Sequence, residues 1–298
     1  MDTRSSAEKS RFVDRYFDRL LVAPSIFILL LVAIFPLIYL VLVSFQGITM
    51  TENSNDFIGL ENYRNLLTDT RLWAAMGHTL LFLLIALPLE LLLGLFMAQL
   101  FLEKLPGRQI FIALLVLPVV ISPIVAGATW ALMFDNRFGP VNQILGWIAG
   151  HDVLLLWTIK PNLVYLAILI AEIWQWTPFM FLLLLAALTN VDKSQVEAAS
   201  IDGAGYWRIF IKIILPTIWP VMAIALLIRA LDLFRLFDVV WALTKGGPGT
   251  MTETISIFTY NLGFKQFETS YTAAVTLLII LLLSASLMWA LRRVKLSR

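Results

Sequence analysis

Six long runs of mostly apolar residues divide this chain, and each approaches or exceeds the ~20 residues that a helix rising 1.5 Å per residue needs to cross about 30 Å of hydrocarbon. They lie at Leu20–Phe45, Ala74–Phe101, Ile110–Phe134, Leu163–Leu188, Thr217–Thr244 and Tyr271–Leu291. Prolines within them (Pro36, Pro88, Pro118, Pro123, Pro178) are tolerable, because neighbouring helices and local adjustments satisfy the freed backbone groups. Since lipid offers no hydrogen-bond partners, the expectation is an all-α integral membrane protein with six transmembrane helices. Composition agrees: 60% of the 298 residues are hydrophobic and 14% are charged, against about 45–50% and 25% in soluble domains. Disorder requires the opposite balance.

Other classes are excluded by what is scarce. A net charge of +2 gives no basic field for nucleic acid. Cysteine is absent, which removes disulfides and thiolate chemistry, and the two histidines, His78 and His151, are too far apart to suggest a metal site. Val153–Ile159 is apolar but too short to span. The first run is too long for a signal peptide and lacks a small-residue cleavage site, so it is expected to stay as a helix.

Lys and Arg set the orientation. The N-terminal segment (Arg4, Lys9, Arg11, Arg15, Arg19), alternate loops (Lys104, Arg108, Lys193, Arg208, Lys212) and the C-terminus (Arg292, Arg293, Lys295, Arg298) carry fourteen. The opposite side carries six: Arg64, Arg71, Arg137, Lys160, Lys245 and Lys265. The positive-inside rule then places both termini in the cytoplasm. Residues 1–19 read as a cytoplasmic amphipathic segment, with Phe12, Val13, Tyr16, Phe17 and Leu20 at helical spacing, or equally as a charged topology anchor. Residues 20–291 form the membrane domain and 292–298 a cytoplasmic tail.

The most informative segment is the loop 190–216, NVDKSQVEAASIDGAGYWRIFIKIILP. Small and apolar residues alternate with polar ones, Gly203 and Gly205 break the helix, and an apolar run leads to Pro216. This predicts a short amphipathic helix, a glycine turn and a second helix returning to the membrane. Glu197-Ala198-Ala199, three residues, Gly203, nine residues, then Ile213-x-Leu215-Pro216 resembles, without a gap, the EAA loop of binding-protein-dependent ABC importer permeases. Thr244-Lys245-Gly246-Gly247-Pro248 and Phe57-Ile58-Gly59-Leu60-Glu61-Asn62-Tyr63 extend the likeness to the carbohydrate-uptake (MalF/UgpA-like) branch.

That resemblance implies a type I ABC importer permease fold in a bacterial or archaeal inner membrane. It also implies that Glu197, Ala198, Ala199, Asp202, Gly203, Ala204 and Gly205 form a coupling helix and turn seated on a cytoplasmic ATPase. No G-x-x-x-x-G-K-[ST] phosphate loop occurs. The chain is therefore expected to be non-catalytic and to hold no cofactor, with ATP and Mg on two partner ATPase subunits. A second permease, an extracytoplasmic solute-binding protein and a small hydrophilic solute complete the expected partners.

Ionisable side chains within spans cost about 2.5–3.5 kcal/mol each and are functional candidates by default. Here they are Glu90, Glu172, Arg229, Asp232, Arg235 and Asp238. The last four alternate in sign every three residues along the fifth run, so they either pair with one another or line a polar path. Glu90, alone in its span, suits an interhelical hydrogen bond better than solute contact. The resemblance implies a solute path through Glu172, Trp176 and Phe179 before the loop and Arg229, Asp232, Leu233 and Leu236 after it. Carboxylates and Arg suit hydroxyl pairs, an aromatic face suits a pyranose, and Arg at mid-depth also suits an anionic group. A polyol, a glycerol phosphate or an acidic sugar derivative thus stays open beside a neutral sugar. A proton-coupled secondary transporter is the competing class, though no inverted repeat is visible.

Overall fold

The computed structural model describes the backbone at residues 3–49, 56–103 and 106–293, and side chains at 21–49, 56–103 and 106–292. The expectations for side chains at 1–20, for Lys104 and for Arg293, Lys295 and Arg298 lie outside the described residues. The described chain is helical, with an isolated extended bridge between Gln46 and Phe57. In order, the helices are α1 (Thr3–Ser44), α2 (Glu61–Thr68), α3 (Thr70–Leu100), α4 (Arg108–Val120), α5 (Pro123–Met133), α6 (Pro140–Ala149) and α7 (Pro161–Thr189). Then come α8 (Lys193–Ile201), α9 (Tyr206–Ile209), a π-helical turn Phe210–Ile214, α10 (Leu215–Phe234), α11 (Asp238–Leu243), α12 (Ile255–Tyr260), a second π-helical turn Asn261–Lys265 and α13 (Thr269–Arg293).

Among the described residues, five helical stretches are long and apolar enough to cross a membrane, or six with a bent pair counted as one. The bent pair corrects the third expected span: α4 and α5 meet at 97°. Ile121 and Ser122 are extended, with ψ of 137° and 135°. Pro123 disfavours the helical region for Ser122, and Pro118 removes a helical donor one turn earlier. The fifth run also departs from expectation. Its helix stops at Phe234, Arg235 (φ −95°, ψ 18°) and Phe237 (φ −132°, ψ −59°) leave helical geometry, and α11 begins at Asp238. The four alternating charges therefore do not share one helix.

The chain divides into two compact units. One comprises residues 1–68 and 262–279. In it the Asn62 side-chain amide donates to the carbonyls of Ser44 and Gln46, both at 2.9 Å. The hydroxyls of Tyr63 and Ser44 lie 2.7 Å apart, and Phe45 packs on Phe57 and Tyr63. Gly59 turns the chain with φ +62°. The Phe57–Tyr63 motif is thus a clasp that fixes how the chain leaves α1.

The other unit comprises residues 69–261 and 280–298. Here α3 and α7 pack closely enough that a Cβ at Gly94 would lie 2.6 Å from Met180 Cβ and 2.9 Å from Phe181 N. Gly127 on α5 meets α11 similarly, with Ala242 Cβ 2.7 Å from where its own would be. Lipid gives helices no hydrophobic reason to associate, so small residues that admit close van der Waals contact carry the packing. Phe82, Ala86, Ile168, Ala171, Leu233 and Val240 form one buried core, and Ala98, Phe181, Leu184 and Ile218 belong to a second.

Candidate functional site

Between these cores lies a charged knot. Arg229 of α10 is 1% exposed. It donates from Nε and Nη2 to the two oxygens of Glu90 on α3, both at 2.8 Å. Nη2 also donates to Glu172 Oε1 on α7 at 2.9 Å. The Arg229 guanidinium carbon lies 4.5 Å from the centre of the Trp176 ring, one helical turn beyond Glu172, a cation–π contact strengthened by exclusion of water. Burying charge is costly, and this geometry offsets the cost by giving each carboxylate a charge-assisted bond. Glu90 behaves as its solitary position suggested, as an interhelical acceptor. Arg229, by contrast, is held by other helices and not by Asp232.

A cavity of about 300 Å³ opens beside the knot, lined by Pro123, Glu172, Trp176, Arg229 and residues of the break after α10. Of the expected path residues, Glu172, Trp176, Arg229, Asp232 and Leu236 line it together. Leu233 is fully buried in the core instead, and Phe179 sits edge-on to Trp176, 6.3 Å between ring centres. Asp232 bonds Arg235 at 3.0 Å as an i, i+3 pair, with Arg235 exposed and Asp232 half-buried. The break brings Phe237 and Asp238 to the cavity wall.

Sequence reasoning passed over three supports of this site. Gln175, buried on α7, donates from Nε2 to the Ile121 carbonyl at 3.0 Å, holding the bend between α4 and α5. The Thr254 hydroxyl donates to the Leu236 carbonyl at 2.7 Å, holding the break after α10. Arg71, counted only as a topology charge, donates from Nε and Nη2 to Glu253, both at 2.8 Å. Asn261 donates to the same carboxylate at 2.8 Å, so the segment that follows the Gly246–Pro248 turn is fastened to α3. An acidic residue next to two threonines, 182 residues from its partner, carries no local signal of that pairing.

The loop 190–216 forms the expected short helix, glycine turn and returning helix, although α8 buries none of its side chains and the return passes through a π-helical turn. Asp192 caps α8, accepting from Ser194 N at 2.9 Å, and the Ser194 hydroxyl and N–H hold its carboxyl below the ordinary value. At the other end Gly203 adopts φ +77°, Ala204 N donates to Ala199 O at 2.9 Å and Gly203 N to Ser200 O at 3.1 Å. This is a Schellman turn, which favours glycine at its left-handed position. Glu197 and Ala198 are exposed on α8, Asp202 and Gly203 are exposed in the turn, Ala199 and Ala204 are half-buried, and Gly205 starts α9.

Residues 90–295 match the family of binding-protein-dependent transport system inner membrane components. The chain belongs to this family. It is 34% identical over 253 residues to a trehalose/maltose transport system permease protein, MalF, of Thermococcus litoralis, covering 85% of each chain. Over 271 residues it is 35% identical to a trehalose transport system permease protein, SugA, of Mycobacterium tuberculosis, covering 91% of this chain and 86% of the relative. Its fold matches a chain of a bacterial ABC transporter involved in the import of the acidic polysaccharide alginate, with TM-score 0.81, 22% identity and coverage of 97% and 99%. The chain is accordingly a multi-pass inner-membrane permease subunit of an ABC importer, and the self-sufficient secondary transporter is set aside.

Proposed function

We propose that this permease subunit imports a sugar or sugar derivative by an ATP-driven cycle, forming half of the pathway beside a second, homologous permease. The observation that carries the reading is a cavity in otherwise apolar spans that combines carboxylates with an aromatic face, at Glu172, Asp232 and Trp176. Hydroxyl groups donate to carboxylates, and the apolar face of a pyranose covers an aromatic ring. The trehalose and maltose named for the relatives are solutes of this kind. In this reading both termini are cytoplasmic, and two ATPase subunits, one seated on the α8 turn at Glu197–Gly205, supply the energy. An external binding protein delivers the solute to the opposite side. Swinging α7 and α10 apart on alternate sides would open the cavity to each in turn.

The test is ATP-dependent uptake of radiolabelled disaccharide by the reconstituted complex, comparing the native chain with Trp176→Ala. Loss of uptake with normal assembly is expected. Native uptake by a well-assembled Trp176→Ala complex would count against this cavity as the solute site.

A further inference from the structure

We propose that the cavity beside Glu172 selects uncharged or amine-bearing saccharides and rejects anionic ones, an inference that rests on reading this cavity as the solute site. In sequence, Arg229 is the residue that invites an anion. In the structure its Nε and Nη2 already face the carboxylates of Glu90 and Glu172, and Trp176 lies against the guanidinium. The other cation, Arg235, gives Nη2 to Asp232 and is otherwise exposed.

The carboxylates outnumber these cations. Glu172 is 3% exposed, yet its Oε2 has no hydrogen-bond partner among the described residues while the side chain lines the cavity. The Asp238 carboxylate, also on the wall, has no partner among the described residues, and Asp232 gives only Oδ1 to Arg235. Across the cavity wall and Glu90 behind it, four carboxylates face two guanidiniums. Ionised carboxylates accept hydrogen bonds and donate none. Hydroxyls and ammonium groups complement such a wall, whereas an entering uronate or phosphate meets like charge in a site partly shielded from water.

The complex of both permeases and the ATPase subunits, purified without the external binding protein, lets the membrane cavity be read directly. Saturation-transfer NMR would follow trehalose binding in competition with glucosamine and with glucuronate. Glucosamine should compete at least as well as trehalose, and glucuronate roughly tenfold or more weakly. Asp238→Asn, a change at an exposed position that leaves the buried knot intact, should narrow that gap. Equal competition by glucuronate, or a gap that Asp238→Asn leaves unmoved, overturns the charge selection alone. No binding signal from any of the three, with Trp176→Ala indistinguishable from the native chain, overturns the solute-site reading as well.

Discussion

Arg229 grips both oxygens of Glu90 across 139 residues of sequence, with Nε and Nη2 each 2.8 Å from its oxygen. The second donation by Nη2, to Glu172, ties α10 to α7 as well as to α3. One guanidinium therefore fixes the relative placement of three helices at the depth where the cavity opens.

Removing the cation of that knot leaves two buried carboxylates without a partner. Arg229→Met should cost about 3–5 kcal/mol, seen as a lower thermal transition of the detergent-purified complex. The triple change Arg229→Met, Glu90→Gln, Glu172→Gln should recover most of that loss. An Arg229→Met transition matching the native one would mean that the knot contributes little to stability.

Asp232 sits differently. Its pair with Arg235 is half-open, Asp232 being 34% exposed and Arg235 67%, and pairs this open contribute about 0–1 kcal/mol. Asp232→Asn should leave assembly intact and alter which solutes are taken up. Lost assembly with unchanged solute preference would assign Asp232 to structure instead of to the path.

At Gly203 the left-handed backbone decides the outcome, because a Cβ there meets open space. Gly203→Ala should cost about 1 kcal/mol through backbone strain alone, and Asn, which tolerates this conformation, less. Gly203→Trp should insert normally and abolish ATP-driven uptake, since its bulk stands where the ATPase would seat. Uptake normalised to the amount of membrane complex is the measurement. Native rates for the Trp variant would argue against coupling through this turn.

The α3–α7 crossing has no such tolerance. With Met180 Cβ at 2.6 Å and backbone N of Phe181 at 2.9 Å from the missing Cβ, Gly94→Leu should force the helices apart and lower the yield of folded protein. Gly77, on the same helix with nothing within 4 Å, is the control and should accept Ala silently.

Orientation is open to reporter fusions. Those after Asp192 and at both termini should report cytoplasm, and those near Glu61 and Met251 the outside. An outside signal at Asp192 would reverse the topology and remove α8 from reach of any cytoplasmic ATPase.

Much of this was legible because it is local. Span lengths follow from apolar runs, and the α8 turn follows from two glycines after a helix of small residues. The Phe57–Tyr63 motif carried a family likeness in sequence, but its clasp with Ser44 could not be read from spacing. What stayed hidden depends on distant contacts. Of the three i, i+3 pairs that the alternating charges allow, only Asp232–Arg235 forms among the described residues, and nothing in the pattern sends Arg229 to α3 and α7. The stop after Phe234 has no proline or glycine to announce it. It is held by Thr254, 18 residues away, where Leu236 offers a carbonyl that no helix uses.

That stop changes the mechanics of the cavity wall. An unbroken helix transmits a push along its axis as a stiff rod, and bending it must stretch several backbone hydrogen bonds together. Here three residues, Arg235 to Phe237, join two shorter rods, so the angle between them can change by rotating a few dihedrals while both ladders stay closed. Thr254 grips the joint, and its neighbour Glu253 is clamped to Arg71 at the start of α3. A displacement of residues 252–254 is thereby geared to the residues that border the cavity, without passing through the buried knot at all.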